Sequence, residues 1–224
     1  MFGQKSSIVV VFVDRNRLQF YGGTSPSVLT LDIPPAVCKD LEIVNRDALY
    51  TLVNQWLKQN NLGGARLLFV LSPMTYFDKV MTTSGESEQE TEILMFYDSV
   101  PFEDLATKVL TIANKKIAFA VNRDYMDAIR HAFTLQGFQI IAVVPAVILG
   151  SLATKRWLDA EMGLYILKHI DTLRTQTLID REDEISQGSP PITPTAQNNP
   201  RIMTLVGVFG LLLLVLIAMI FIRR

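Results

Sequence analysis

Residues Ser7 to Ile33, SIVVVFVDRNRLQFYGGTSPSVLTLDI, decide how this chain folds. Ser7 to Val13 is nearly all apolar and rich in β-branched residues, the composition of a central strand buried on both faces. Arg17 to Tyr21 (RLQFY) alternates polar and apolar residues, and so does Val28 to Ile33 (VLTLDI). Each reads as a further strand. Asp14–Asn16 joins the first two runs, and Gly22–Gly23 with Ser25–Pro26 separates the second from the third. Short joints between successive strands predict a three-stranded antiparallel meander.

Working outward, Pro34–Pro35 ends the third strand. Asn45 stands as an N-cap before RDALYTLVNQWLKQNN, with Asp47 in the first turn. Leu49, Leu52, Val53, Trp56 and Leu57 share one face of that helix. Gly63–Gly64 close it, and Arg66 to Leu71 (RLLFVL) is the next buried strand, stopped by Ser72–Pro73. Thr82 to Glu92 (TTSGESEQETE) is polar and acidic, a loop or the solvated start of a helix through Ile93, Leu94, Phe96 and Tyr97. Pro101 fits the start of a helix PFEDLATKVLTIAN. Ile117 to Val121 (IAFAV) reads as a strand, Arg123 to Leu135 as an amphipathic helix stopped by Gly137, and Phe138 to Val144 (FQIIAVV) as the last strand. Leu158, Met162, Tyr165, Ile166, Ile170 and Leu173 recur at helical spacing in a final helical region from Ala146 to Leu178. The order is β-β-β-α-β-α-β-α-β-α. A meander feeding βα units predicts an α/β domain with a mixed sheet and helices on both faces, the ribonuclease-H-like connectivity that actin-type ATPases repeat.

The chain has 224 residues, with 21 Lys+Arg against 22 Asp+Glu and a net charge of −1. That balance argues against a dedicated nucleic-acid binder. The single Cys38 cannot form an internal disulfide. Apolar residues are concentrated at the end: Ile202 to Ile222, IMTLVGVFGLLLLVLIAMIFI, carries no charge and lies between Arg201 and Arg223–Arg224. About 20 such residues suffice to cross a bilayer core, so one C-terminal transmembrane helix is expected. Gly207 and Gly210 are three apart and form no GxxxG pair, which leaves a homo-oligomer open without arguing for one. The start, MFGQKSSIVVVFVD, lacks the apolar core and cleavage site of a signal peptide. Arg181 to Pro200, REDEISQGSPPITPTAQNNP, is a linker in composition. The expected organisation is a cytoplasmic domain over residues 1–180, a linker over 181–200 and an anchor over 201–224, placed at the inner or plasma membrane.

Chemistry is sparse. A phosphate-binding hairpin needs glycine so that the backbone can approach the anion, yet the first turn is Asp14-Arg15-Asn16-Arg17. No GxxxxGK[ST] or GxGxxG is present. A ribonuclease-H-like nuclease needs several carboxylates converging on paired metals. Asp14 could be the first, but the next strand ends in Ser72, and IAFAV and FQIIAVV carry none. Arg15 and Arg17 could pair with a phosphate but read as solvated turn residues. Cys38 could pair only with His131 or His169, both on predicted helices, and zinc would need more Cys or His. Glu86, Glu88, Glu90 and Glu92 alternate without the turn chemistry of a calcium loop. No catalytic, cofactor-binding or metal-ligating residue is assigned. No cofactor is expected, and the chain is read as not an enzyme. The alternative is a membrane-tethered nuclease or divergent ATPase built on Asp14.

The stretch IAFAVNRDYMDAIRHAFTLQGFQIIAVVPAVIL, Ile117 to Leu149, resembles a segment of the PilM-like actin-fold proteins of type IV pilus assembly. It is also similar to the cytoplasmic domain of GspL-type proteins of type II secretion. IVVVFVDRNRLQF resembles their opening hairpin, and PFEDLATKVL the helix after their membrane-facing insertion. The resemblance covers roughly Ser7 to Leu152. It implies an inner-membrane-associated scaffold acting through protein–protein contacts, with sheet edges or the apolar surface near Phe96, Tyr97 and Phe102 as binding elements. The chain departs from the family pattern in holding a single actin-like half, which implies loss of the nucleotide-clamping cleft. An anchor after the cytoplasmic half matches the GspL-type arrangement.

Overall fold

The buried run at the start of the chain does become the centre of a sheet. In the computed structural model, which describes residues 7–23, 25–83 and 85–178, β1 (Ile8–Asp14) pairs antiparallel with β2 (Arg17–Gly22) from Val9↔Gly22 to Asp14↔Arg17. β3 (Ser25–Asp32) pairs antiparallel with β2 and completes the meander. On its other side β1 lies parallel to β6 (Arg66–Leu71), which lies parallel to β10 (Gln139–Pro145). The order is β10-β6-β1-β2-β3, a mixed sheet as expected. A two-stranded ribbon, β4 (Cys38–Lys39) and β5 (Glu42–Ile43), sits in the crossover.

Successive side chains of a strand point to opposite faces, so β1 feeds two cores. Val9, Val11 and Val13 pack with α1 (Arg46–Gln59) and α3 (Arg123–Thr134), while Val10 and Phe12 pack with α4 (Ala160–Lys168) and α5 (Ile170–Arg174). Helices therefore cover both faces. Asn45 caps α1, its side chain accepting the Ala48 N–H at 3.0 Å. Asn122 does the same for α3, accepting from the Tyr125 N–H at 3.2 Å. Gly137, at φ +80°, ends the α3 segment in the left-handed conformation expected of it.

Three expectations are corrected. Residues from Pro101 onward do not form a helix: Leu105–Ile112 is β8, paired antiparallel with β9 (Lys115–Asn122) along its whole length. The hairpin closes through Ala113 and Asn114, both at positive φ, the geometry that matches strand twist. Ile117 to Val121 consequently lies outside the main sheet. It is the centre of a second sheet, β7-β9-β8, whose remaining strand is β7 (Phe77–Val80). The region from Ala146 to Leu178 is not one helix but a 3₁₀ stretch (Ala146–Thr154) interrupted at Gly150, an extended turn, and then α4 and α5. Asp159 restarts the helix, accepting the Met162 N–H at 2.8 Å.

The acidic stretch takes the helical alternative, as α2 (Glu86–Asp98). Phe96 is buried against the second sheet with Tyr97 and Phe102 packed beside it, so that apolar surface is spent inside the domain. The apolar residues that α2 exposes are Leu94 at 63% and Met95 at 68%. No helix among the described residues is long and apolar enough to cross a membrane. The expected linker and the span Ile202 to Ile222 lie outside the described residues.

Two contacts make the packing testable. A methyl group on Gly163 of α4 would lie 2.2 Å from Tyr21 Cδ1 and 2.5 Å from its Cγ, atoms too near the backbone to swing aside. Gly163→Ala should therefore destabilise the domain by about 2 kcal/mol, a fall of roughly 4–8 °C in Tm, measured by thermal unfolding of the full chain in detergent. Glu92 ties α2 to the loop before it, accepting from the backbone N–H groups and hydroxyls of Thr82 and Thr83. Burial opposes its charge, but those bonds outweigh it and lower its pKa to about 2. A lowered folded-state pKa gives stability that is present above the unfolded carboxylate's pKa and lost as pH falls through about 2. Glu92→Gln should flatten the acid limb of a stability–pH curve below the unfolded pKa and leave its shape at pH 7 unchanged.

Candidate functional site

Because β1, β6 and β10 are parallel, their carboxyl ends share one end of the sheet, the end where open α/β sheets place ligands. Asp14 closes β1 and Ser72 follows β6. The Ser72 hydroxyl donates to Asp14 Oδ1 at 2.7 Å and accepts the Met74 N–H at 3.2 Å. The Ser72 backbone is held as well, its N–H donating to Val13 O and its carbonyl accepting the Thr75 hydroxyl. The Ser72 hydroxyl thus accepts from Met74 and gives its one proton to Asp14.

Asp14, Ser72, Pro73 and Met74 form one side of a cavity of about 430 Å³, and Ala153 to Trp157 form the other. The second wall is stitched to the sheet from below: the Leu158 N–H donates to the buried side-chain oxygen of Gln19 on β2 at 2.9 Å. Trp157 remains 51% exposed, with the Arg17 guanidinium 5.0 Å from its ring. Arg17 also pairs with Asp32 at 2.6 Å, and Arg15 Nε donates to Met74 O at 3.1 Å. Arg15 is an exposed turn residue and Arg17 a half-exposed one, as the sequence suggested, and their bonds lie at the surface beside the cavity. Lys155 bonds both Asp159, at 2.7 Å, and Glu161. Those bonds hold the Lys155 ammonium above its ordinary pKa and the Asp159 carboxyl below its own.

The β1–β2 turn is held from beneath by two buried groups. The Tyr125 hydroxyl donates to Asp14 O at 2.8 Å, and the Cys38 thiol points at Arg15 O, 3.7 Å away. Burial, with Cys38 and Asp14 nearby, pushes the Tyr125 phenol well above its usual range. Burial and the neighbouring Asp40 charge push the Cys38 thiol up to about 11.

The structure thus brings Asp14 and Ser72 together, sets Cys38 beneath their turn, and leaves the histidines and the glutamate run apart. Asp14 is the one carboxylate lining the cavity among the described residues. His131 stacks edge-on against Tyr50 and His169 packs on Tyr165. Glu92 is turned toward Thr82 and Thr83 instead of lining up with Glu86, Glu88 and Glu90 for a cation. Among the described residues no group of three or more His, Cys, Asp or Glu side chains is placed to hold a metal ion. The wall from Ala153 to Trp157 was missed by sequence reasoning. Its signal, a tryptophan between Arg156 and Leu158 in a polar turn, does not reveal which strand end it faces.

A thiol with a pKa of about 11 is hardly ionised at pH 8. Iodoacetamide should alkylate Cys38 roughly a hundredfold more slowly in the native chain than in urea, as read by mass spectrometry.

No family model matches the chain, and no curated protein matches it. Solved structures do. The PilM–PilN type IV pilus biogenesis complex is similar at 11% identity and a TM-score of 0.45, over 62% of this chain and 47% of that one. The cytoplasmic domain of EpsL, an inner-membrane component of the type II secretion system of Vibrio cholerae, is similar at 14% identity and a TM-score of 0.41, over 63% and 58%. A Bacteroides thetaiotaomicron protein with an actin-like ATPase fold and unknown function is similar at 10% identity and a TM-score of 0.36, over 61% and 52%. The chain spans about half the length of these structures. Both families whose resemblance was read from Ile117 to Leu149 are thus among the solved structures similar to this chain.

Proposed function

We propose that this chain is a membrane-anchored, non-enzymatic scaffold of a pilus or secretion assembly platform, working through protein–protein contacts. In this reading residues 1–180 form a cytoplasmic actin-like half domain, 181–200 a spacer and 201–224 the anchor, at the inner membrane. The observation that carries the non-enzymatic part is the Met74–Ser72–Asp14 chain of hydrogen bonds. At the strand end where metal-dependent phosphoryl chemistry would need converging carboxylates, Asp14 faces a serine that neutralises nothing and ligates poorly. The hairpin beside it, Asp14 to Arg17, has no glycine to admit a phosphate. The anchor is supported by the uncharged run Ile202 to Ile222 between arginines, and the platform by the resemblance of Ile117 to Leu149.

The test has two parts. The full chain should stay with the membrane pellet after an alkaline wash, and deletion of 202–222 should release it. Purified full chain with Mg²⁺ or Mn²⁺ should turn over neither ATP nor nucleic acid, and Asp14→Ala should change neither result. Turnover that Asp14→Ala abolishes would show a tethered nuclease or ATPase instead.

A further inference from the structure

The cavity above Asp14 has a feature that the scaffold reading does not use. Asp14 Oδ1 is bonded to Ser72, but no described residue donates to Oδ2, and none of the described cations forms an ion pair with the carboxylate. Three of the nearby positive groups are engaged elsewhere, Arg15 with Met74 O, Arg17 with Asp32 and Trp157, and Lys155 with Asp159 and Glu161, while Arg156 lines the cavity without pairing with Asp14. An open carboxylate oxygen on the floor of a pocket walled by Pro73, Met74 and Trp157 lacks only a charged donor.

We propose that this cavity binds a small organic cation, a primary ammonium carried on an apolar stem. The ammonium donates to Asp14 Oδ2, and the stem lies along Trp157, Met74 and Pro73. Three observations define that chemistry. One free oxygen suits the point charge of an ammonium better than the two-pronged fork of a guanidinium. A volume of about 430 Å³ fits a small ligand, and Trp157, already 51% exposed, offers ring surface for an aromatic or aliphatic stem. Arg156 also lines the cavity with no described partner, and its like charge keeps the ammonium on the Asp14 side and leaves the stem to Trp157. A phosphate-bearing ligand meets the opposite arrangement, with its charge set against Asp14 and no glycine turn to receive it. This inference stands whether or not the chain is a scaffold.

The experiment is isothermal titration of 2-phenylethylamine into the full chain in detergent micelles, with empty micelles as the blank. One saturable site is expected, weakened by about tenfold or more in Asp14→Asn, the loss of a hydrogen bond to a charged group. The Asn oxygen still accepts from Ser72, so that variant keeps the fold, verified by an unchanged thermal transition. Ser72→Ala should bind the amine at least as well as the parent, because it frees a second carboxylate oxygen. 3-Phenylpropanoate, of similar shape and opposite charge, should not bind. The proposal is overturned if the amine does not saturate, if Asp14→Asn binds it equally, or if phenylpropanoate or Mg·ATP occupies the same site.

Discussion

Everything in the domain depends on β1 being apolar on both sides. The side chains of Val10 through Val13 are fully buried, and each contributes about 1.5–3 kcal/mol by leaving water. A strand buried on both faces needs strand partners at both edges and helices above and below, because neither its backbone groups nor its side chains can turn to water. β2 and β6 supply the edges; α1 and α3 on one face, α4 and α5 on the other, supply the cover. The antiparallel meander, the parallel crossovers and the helix on the far side all answer the demand of those four residues. The carboxylate of Asp14 ends up at the cavity floor because it is the first residue of that strand to escape the core.

How much of this was legible in the sequence follows from which interactions are local. The first three strands were legible because strand, turn and strand are neighbours, and alternation shows their faces directly. Helix α1 was legible because Asn45 caps it within three residues. β8 was misread because LATKVLTI contains Leu, Ala and Lys, which suit a helix, beside Thr107, Val109 and Thr111, which suit a strand. What decides the matter is an eight-residue ladder to β9, and the Ala113–Asn114 turn that permits it carries neither of the usual Asn-Gly or Asp-Gly signals. The long region after Ala146 showed helical spacing, but spacing cannot reveal that Gly150 adopts a conformation no helix contains.

The site divides along the same line. Asp14 and Ser72 were noticed because each ends a strand, and parallel pairing made them neighbours. The opposite wall was illegible, since nothing near Trp157 indicates that Gln19 will receive the N–H of Leu158. Arg15 and Arg17 were legible as solvated turn residues, but their partners Met74, Asp32 and Trp157 were not, because those residues come from distant parts of the chain.

The bond between Gln19 and Leu158 joins residues 139 apart in the chain. Closing so long a loop is entropically slow and becomes favourable only after the intervening strands have paired. The pocket is therefore assembled from the two ends of one folded unit instead of from any local motif. Occupancy of that pocket would report a property that local secondary structure cannot, namely that the whole domain, from its first hairpin to its fourth helix, has finished folding.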